Sequence, residues 1–346
     1  MIKFLTKIKS TIFWYILIII IIKPFFKIIW LNIINFKSRQ IFLRYCRINN
    51  FKKDKIFNKN DKFIIRGDEN IKRYTTEIHK LLSKEFLRKM ANKIDENKKY
   101  TAEHYLFDKP KFQIDLYPYV DDQIKKIILK IVLDEKIIKM ASQYLDVMPV
   151  LGKIGLNLNV PKHGSEERGS MLWHKDDFGY KTVDFFIPID EVNKHNGPLY
   201  YVKKFNKLGV FHKYTNIIKK PKKGERNKIN IYDFKSNVSD DNIDIFTGDK
   251  GDFLMIDSFS VYHRGGFCEK NNRLMLRISF HTPDSIDMID KINLNNKFRY
   301  LLAIDENDNN LNFFEKHILF YRPKILYELK IPQFLIHVYK LLHFKD

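Results

Sequence analysis

Two short segments, far apart in the chain, carry side chains that only a returning sheet can bring together. They are Trp173-His174-Lys175-Asp176 and Tyr262-His263-Arg264-Gly265-Gly266, with Arg273 ten residues after the second histidine. In an extended strand, side chains alternate between faces, so His174 and Asp176 share one face. His263 must reach the same point from roughly ninety residues downstream. Two imidazoles and one carboxylate suit a non-haem Fe(II) ion, occupying one face of its octahedron and leaving the opposite positions open. A barrel or a double-sheet jelly roll provides the required return.

The texture of the sequence after Val147 agrees with that demand. Apolar runs at Gly155–Val160, Met171–His174, Val183–Ile189, Leu199–Val202, Asp252–Ile256, Ser260–His263 and Arg273–His281 alternate with turn signals such as Pro161-Lys-His-Gly164 and Asn196-Gly197-Pro198. Many short strands separated by Gly, Pro and Asn predict an antiparallel sandwich or barrel. Before this region, apolar residues recur at helical spacing in 69–97 (Ile71, Ile78, Leu82, Phe86, Met90) and in 123–144 (Ile124, Ile127, Ile128, Ile131, Ile137). These read as helices buttressing the sheet. The fold class is mainly β with flanking helices, around a double-stranded β-helix (jelly-roll, cupin-like) core.

Four regions follow. Residues 1–50 form an apolar membrane-anchor segment, 51–147 a linker and buttressing helices, 148–290 the core with an insertion at about 205–245, and 291–346 an aromatic and basic helical tail. The first region begins with Lys3, Lys7 and Lys9, then runs unbroken through Ile12–Ile22 before Lys23-Pro24. Eleven residues cover only half of the ~20 needed to span a bilayer as a helix. A monotopic or re-entrant anchor is therefore the first reading, with a true span, a signal sequence and a buried helix as alternatives. The tail mixes Phe313-Phe314, Phe320-Tyr321, Phe334 and Tyr339 with lysines, as a membrane-surface helix or one packed on the barrel would. Lysines and arginines number 62 against 41 acidic residues, a net charge of +21. The excess is spread along the chain and accompanies no zinc-finger or RNP-like motif, so nucleic acid is an unfavoured partner and an anionic membrane surface a better one. Cys46 and Cys268 support no disulfide framework.

Taken together, residues from about 150 to 285 resemble the phytanoyl-CoA dioxygenase family of Fe(II)/2-oxoglutarate-dependent oxygenases. The resemblance rests on the order of its parts: His174-Lys-Asp176, the apolar strand Phe185–Asp190, Asn196-Gly-Pro-Leu199, Gly251-Asp252 before Phe253–Ile256, then His263 and Arg273. It departs at Lys203–Lys207, where many relatives carry a Pro-Gly-Ser-His-like turn. The resemblance implies iron held by His174, Asp176 and His263, with 2-oxoglutarate and O2 as co-substrates. It also implies oxidation of a substrate with release of succinate and CO2. The family's halogenases replace the carboxylate by a small residue, so Asp176 favours hydroxylation.

The distal carboxylate of 2-oxoglutarate calls for arginine's planar, permanently charged fork. Arg273 is the first choice for that anchor. Arg277 is its rival, because alternation in 273–281 puts Arg273, Met275, Arg277, Ser279 and His281 on one face. Asn157 and Asn159 share a face of an earlier strand and are candidates to reach 2-oxoglutarate or substrate. The substrate expected is a small molecule or a lipid-linked one, met at the membrane with the catalytic domain facing the cytoplasm, where 2-oxoglutarate and reduced iron are supplied. The alternatives are a non-catalytic membrane-associated barrel that binds a ligand, a zinc hydrolase using the same donors, and a nucleic-acid-binding protein. Oligomeric state is not legible.

Overall fold

A computed structural model describes residues 23–50, 62–96, 113–161, 169–176, 182–202, 228–229, 240–258, 261–283 and 302–321. Its described strands form two antiparallel sheets. In the larger, β1 (Lys62–Ile65), β9 (Phe253–Ile256), β5 (Thr182–Pro188), β11 (Arg273–His281), β3 (Val150–Asn159) and β2 (Gln113–Asp115) lie side by side in that order. In the smaller the order is β7 (Lys228–Ile229), β4 (Trp173–His174), β10 (His263–Gly265), β6 (Leu199–Val202) and β8 (Ile243–Phe246).

The period of two divides the larger sheet into two differently used faces. Val183, Phe185 and Ile187 of β5, Phe253 and Met255 of β9, and Leu274, Leu276, Ile278 and Phe280 of β11 point into one apolar core shared with the helices. Phe186, Leu254, Ile256 and Met275, from the same strands, point the other way and meet Leu199, Tyr201 and Phe246 of the smaller sheet. Two facing sheets with an apolar core between them are the jelly-roll arrangement, and the molecule has it.

Helices cover the outer face: α1 (Lys23–Ile48), α2 (Glu69–Leu81), α3 (Lys84–Glu96), α4 (Asp122–Val132), α5 (Glu135–Leu145) and α6 (Phe313–Phe320). Aspartates set their starts. Asp68, Asp121 and Asp134 each accept a hydrogen bond from a backbone N–H of the following turn. Asp134 also explains why the helical pattern in 123–144 is two helices: its carboxylate takes the amides of Lys136 and Ile137 and restarts the chain. Ile124, Ile127, Ile128 and Ile131 then bury one stripe of α4.

Several regional expectations change in detail. The second half of α1 belongs to the body of the protein, not to an anchor: Ile41, Phe42 and Tyr45 are buried in the helix-side core. Ser38 Oγ also meets His317 Nε2 of α6 at 3.0 Å. Helix α6 is itself packed, with Ile318, Leu319 and Phe320 buried. The anchor run 12–22, the linker 52–61 and the tail beyond 321 lie outside the described residues, as does most of the insertion. Ile243–Phe246, counted with that insertion, is a regular strand paired to β6. β1 and β2 come from before residue 148 and complete the larger sheet. Among the described residues no helix is long and apolar enough to cross a membrane.

The packing of α1 has a measurable consequence. Phe42→Ala should cost about 3–5 kcal/mol in urea unfolding, as removal of a buried aromatic ring does. Phe36→Ala, one helical face away and 60% exposed, should stay within about 0.5 kcal/mol of the parent.

Candidate active site

The short strand β10 is the centre of the smaller sheet. It pairs His263 with His174 of β4 on one side and with Tyr201 of β6 on the other. Directly opposed residues of antiparallel strands present their side chains together, and the two imidazoles stand 4.5 Å apart between ring centroids. Each is oriented from behind. His174 Nδ1 lies 2.7 Å from the carbonyl of Leu172, and His263 Nδ1 lies 3.0 Å from that of Val261. A carbonyl only accepts, so both Nδ1 atoms carry the proton and Nε2 is the atom each ring offers to a metal.

Asp176 completes the group, though not as a strand residue. β4 ends at His174, and the Asp176 amide is instead held by the carbonyl of Ser258 at 2.9 Å. Its carboxylate lies 3.7 Å from His174 Nε2 and 3.6 Å from His263 Nε2. The donor atoms of the three side chains all fall within 4.8 Å of one another, a spacing that a single metal ion can bridge. Burial alone would raise the Asp176 carboxyl, but the Arg277 guanidinium bonded to it outweighs burial and holds the group well below the ordinary carboxylate range. It is therefore ionised, as a metal donor must be.

The inward face of β11 adds both arginines. Arg277 donates through Nη2 to Asp176 Oδ2 at 2.5 Å and grips Asp184 of β5 at 3.0 and 2.9 Å. Burial disfavours its charge, but Asp184 and Asp176 more than compensate and raise its pKa. Arg273 differs. It is 7% exposed, donates through Nη1 to the carbonyl of Gly197, and its Nε has no partner. Burial presses its pKa downward, opposed only by Cys268. It has no carboxylate partner among the described residues.

The Asn196-Gly-Pro-Leu199 turn builds the wall against which Arg273 lies. Asn196 bonds the amide of Asn193 and the carbonyl of Glu191, at 2.5 and 2.6 Å, and fixes the loop. Gly197 adopts φ +80°, where a Cβ would lie 2.9 Å from Cys268 Sγ. Asp252, of the Gly251-Asp252 pair, plays a framework part. It accepts from the Gly67 and Asp249 amides and pairs with Arg66 at 2.6 Å, tying β1 to the start of β9.

A cavity between the sheets is lined by His174, His263, Arg273 and Arg277, with Phe186, Leu199 and Met275 as apolar walls. Gln113, Asn157 and Ser170 add polar groups. Asn157 accepts from Gln113 Nε2 at 2.6 Å, whereas Asn159 is buried with an unpartnered Oδ1, opposite Arg273 in the register of β3 and β11. Trp173 is buried beneath Arg264, which stacks 5.5 Å from it and 4.5 Å from Tyr200. His195 pairs with Glu269 at the surface, away from the cavity lining. Asp184 and Gln113 were not singled out by the sequence. A lone carboxylate inside the apolar run Val183–Ile189 was the signal for the first.

Two imidazoles that turn Nε2 toward an ionised carboxylate, and a buried arginine with no carboxylate partner among the described residues, suit what iron and 2-oxoglutarate require. The model of the phytanoyl-CoA dioxygenase (PhyH) family matches residues 64–267, well over half of the chain. The chain belongs to that family of non-haem Fe(II)/2-oxoglutarate-dependent oxygenases. Similar solved structures include the epimerase SnoN in complex with Fe3+, alpha-ketoglutarate and nogalamycin RO. It is 12% identical, covering 66% of this chain and 81% of that one, with a TM-score of 0.40. AviO1 from Streptomyces viridochromogenes Tue57 is 13% identical, covering 65% and 91%, with a TM-score of 0.40. The non-haem monooxygenase ThoJ, as its Ni complex, is 10% identical, covering 68% and 78%, with a TM-score of 0.41. No curated protein matches the chain in sequence.

The position of Cys268 behind Gly197 can be probed chemically. Burial pushes its thiol up, against the pull of Arg273, so little thiolate exists at neutral pH. Iodoacetamide at pH 7.5 should label Cys268 only after denaturation. Labelling of the native protein at the rate of a free thiol would mean that this wall is open.

Proposed function

We propose that His174, Asp176 and His263 hold Fe(II), that Arg273 anchors the distal carboxylate of 2-oxoglutarate, and that the enzyme hydroxylates a small-molecule or lipid-linked substrate at a membrane surface. The observation carrying the anchor assignment is the contrast between the two arginines. Arg277 is engaged by two carboxylates, whereas Arg273 is a buried cation that donates to the Gly197 carbonyl and has no carboxylate partner among the described residues. A buried charge of that kind is costly unless a counter-ion arrives, and a dicarboxylate supplies one.

Bound together, iron and 2-oxoglutarate supply the O2 activation that couples release of succinate and CO2 to substrate oxidation. The chain's own groups set the geometry. Leu172 and Val261 fix the imidazoles through Nδ1. Phe186, Leu199 and Met275 keep the cavity wall apolar, which excludes water from the reacting face. Gln113 and Asn157, at the β2–β3 edge, offer hydrogen bonds to the co-substrate or substrate.

The membrane part of the proposal is supported by sequence. Ile12–Ile22 is an uninterrupted apolar run behind three lysines, and the net charge of +21 favours anionic lipid. Iron and 2-oxoglutarate are supplied in the cytoplasm, so the catalytic domain faces that side.

Anaerobic titration of the full chain with Fe(II) and 2-oxoglutarate should produce the weak visible charge-transfer band of the chelate, absent in His174→Ala. Arg273→Ala should raise the Kd for 2-oxoglutarate on the order of 100-fold or more, as truncating one partner of a buried charge pair does. Iron binding should be largely retained. A folded parent without any band would favour the non-catalytic ligand-binding reading. For the membrane claim, the protein should co-sediment with phosphatidylglycerol-containing vesicles, not with pure phosphatidylcholine, and less so as salt rises. Equal recovery with both lipids would remove the electrostatic part of the argument.

A further inference from the structure

Asp184 is fully buried in the middle of β5, and nothing in the reaction outlined above uses it. Burying a carboxylate costs several kcal/mol unless it is fully bonded, so its surroundings are informative. Strand register puts Asp184 opposite Ser279 and puts Arg277 opposite Phe186, leaving Asp184 diagonal to Arg277 on the inward face. Its Oδ1 accepts from Arg277 Nε at 3.0 Å and from Ser279 Oγ, and its Oδ2 accepts from Arg277 Nη2 at 2.9 Å. That fork fixes the guanidinium plane. Phe186 lies 5.4 Å from the guanidinium carbon and limits it from another side. The Nη2 atom so fixed is the one that reaches Asp176 Oδ2 at 2.5 Å.

We propose that Asp184 is a positioning residue which, through Arg277, ties up one oxygen of Asp176 and leaves only the other for the metal. The proposal rests on the iron reading given above. Its consequence follows from counting positions on a six-coordinate ion. Three protein donors and two from 2-oxoglutarate leave one position for O2. If Asp176 turned to chelate through both oxygens, that position would be lost. Arg277 prevents the turn by holding Oδ2, and Asp184 prevents Arg277 from releasing it. Asp184 also neutralises Arg277, so the cavity presents Arg273 as its carboxylate-free arginine to an incoming dicarboxylate.

The test uses the full chain under anaerobic conditions, with two readouts besides turnover: the Fe(II) dissociation constant without 2-oxoglutarate, and the position and intensity of the charge-transfer band with it. Asp184→Asn keeps the shape and removes the charge. It should weaken iron binding about 10- to 100-fold, the usual effect of losing a group that orients a ligand, and should move the band. Arg277→Gln should act alike. Because both act on the same oxygen of Asp176, the double variant Asp184→Asn/Arg277→Gln should be no worse than the weaker single, whereas independent effects would multiply. Arg277→Lys should recover part of the affinity.

The double variant removes one buried charge of each sign and leaves the net buried charge of the parent unchanged, so it tests the idea even if a single variant does not fold. Folded variants with the parent's iron affinity and band would overturn the proposal, as would multiplied effects in the double. A parent that shows no band at all would instead overturn the iron reading beneath it.

Discussion

The pairing of β10 with β4 is the contact on which the site depends. It is only one residue pair long in register, His263 against His174, yet it sets the two imidazoles side by side. Everything around it serves to hold that register. Tyr201 supports β10 from β6, the Leu172 and Val261 carbonyls aim the rings, and Ser258 brings the Asp176 carboxylate in from beyond the strand end. So short a pairing has little stability alone. The larger sheet and its helix layer provide it, through an apolar core that runs from Phe42 of α1 to Phe320 of α6.

Charge is arranged as deliberately as shape. Two arginines four residues apart on β11 meet opposite fates. Arg277 is neutralised by Asp184 and Asp176, while Arg273 is buried against a carbonyl and a thiol. Such a difference favours Arg273 as the place for an incoming anion. One arginine belongs to the framework, and the other is the anchor proposed for 2-oxoglutarate. The Asn-Gly-Pro turn is part of the same arrangement, because the Gly197 carbonyl accepts from Arg273 and the absence of a Cβ there lets Cys268 and Gly266 lie close.

Much of this was legible in the chain, and what was not had physical reasons. Alternation along 273–281 correctly divided Leu274, Leu276, Ile278 and Phe280 from the inward residues, because period two is enforced by the backbone itself. The same logic brought His174 and Asp176 to one place even though the strand stops between them. Partners across strands were not legible: Asp184 and Arg277 are more than ninety residues apart, and only the register of β5 against β11 joins them. The break at Asp134 was hidden because isoleucine spacing continues past it, while one aspartate restarts the helix. Strand β8 was masked by the lysine-rich sequence before it, although Ile243-Asp-Ile-Phe246 alternates.

We propose that one metal ion and one dicarboxylate share the space between the sheets, with Arg273 as the anchor. An anaerobic crystal structure with Fe(II) and 2-oxoglutarate, with iron located by its anomalous signal, tests it most directly. The account predicts a single iron peak bounded by His174, Asp176 and His263, one oxygen of Asp176 still on Arg277, and the distal carboxylate of 2-oxoglutarate against Arg273. Iron elsewhere, or that carboxylate paired with Arg277 while Arg273 stays alone, would contradict it.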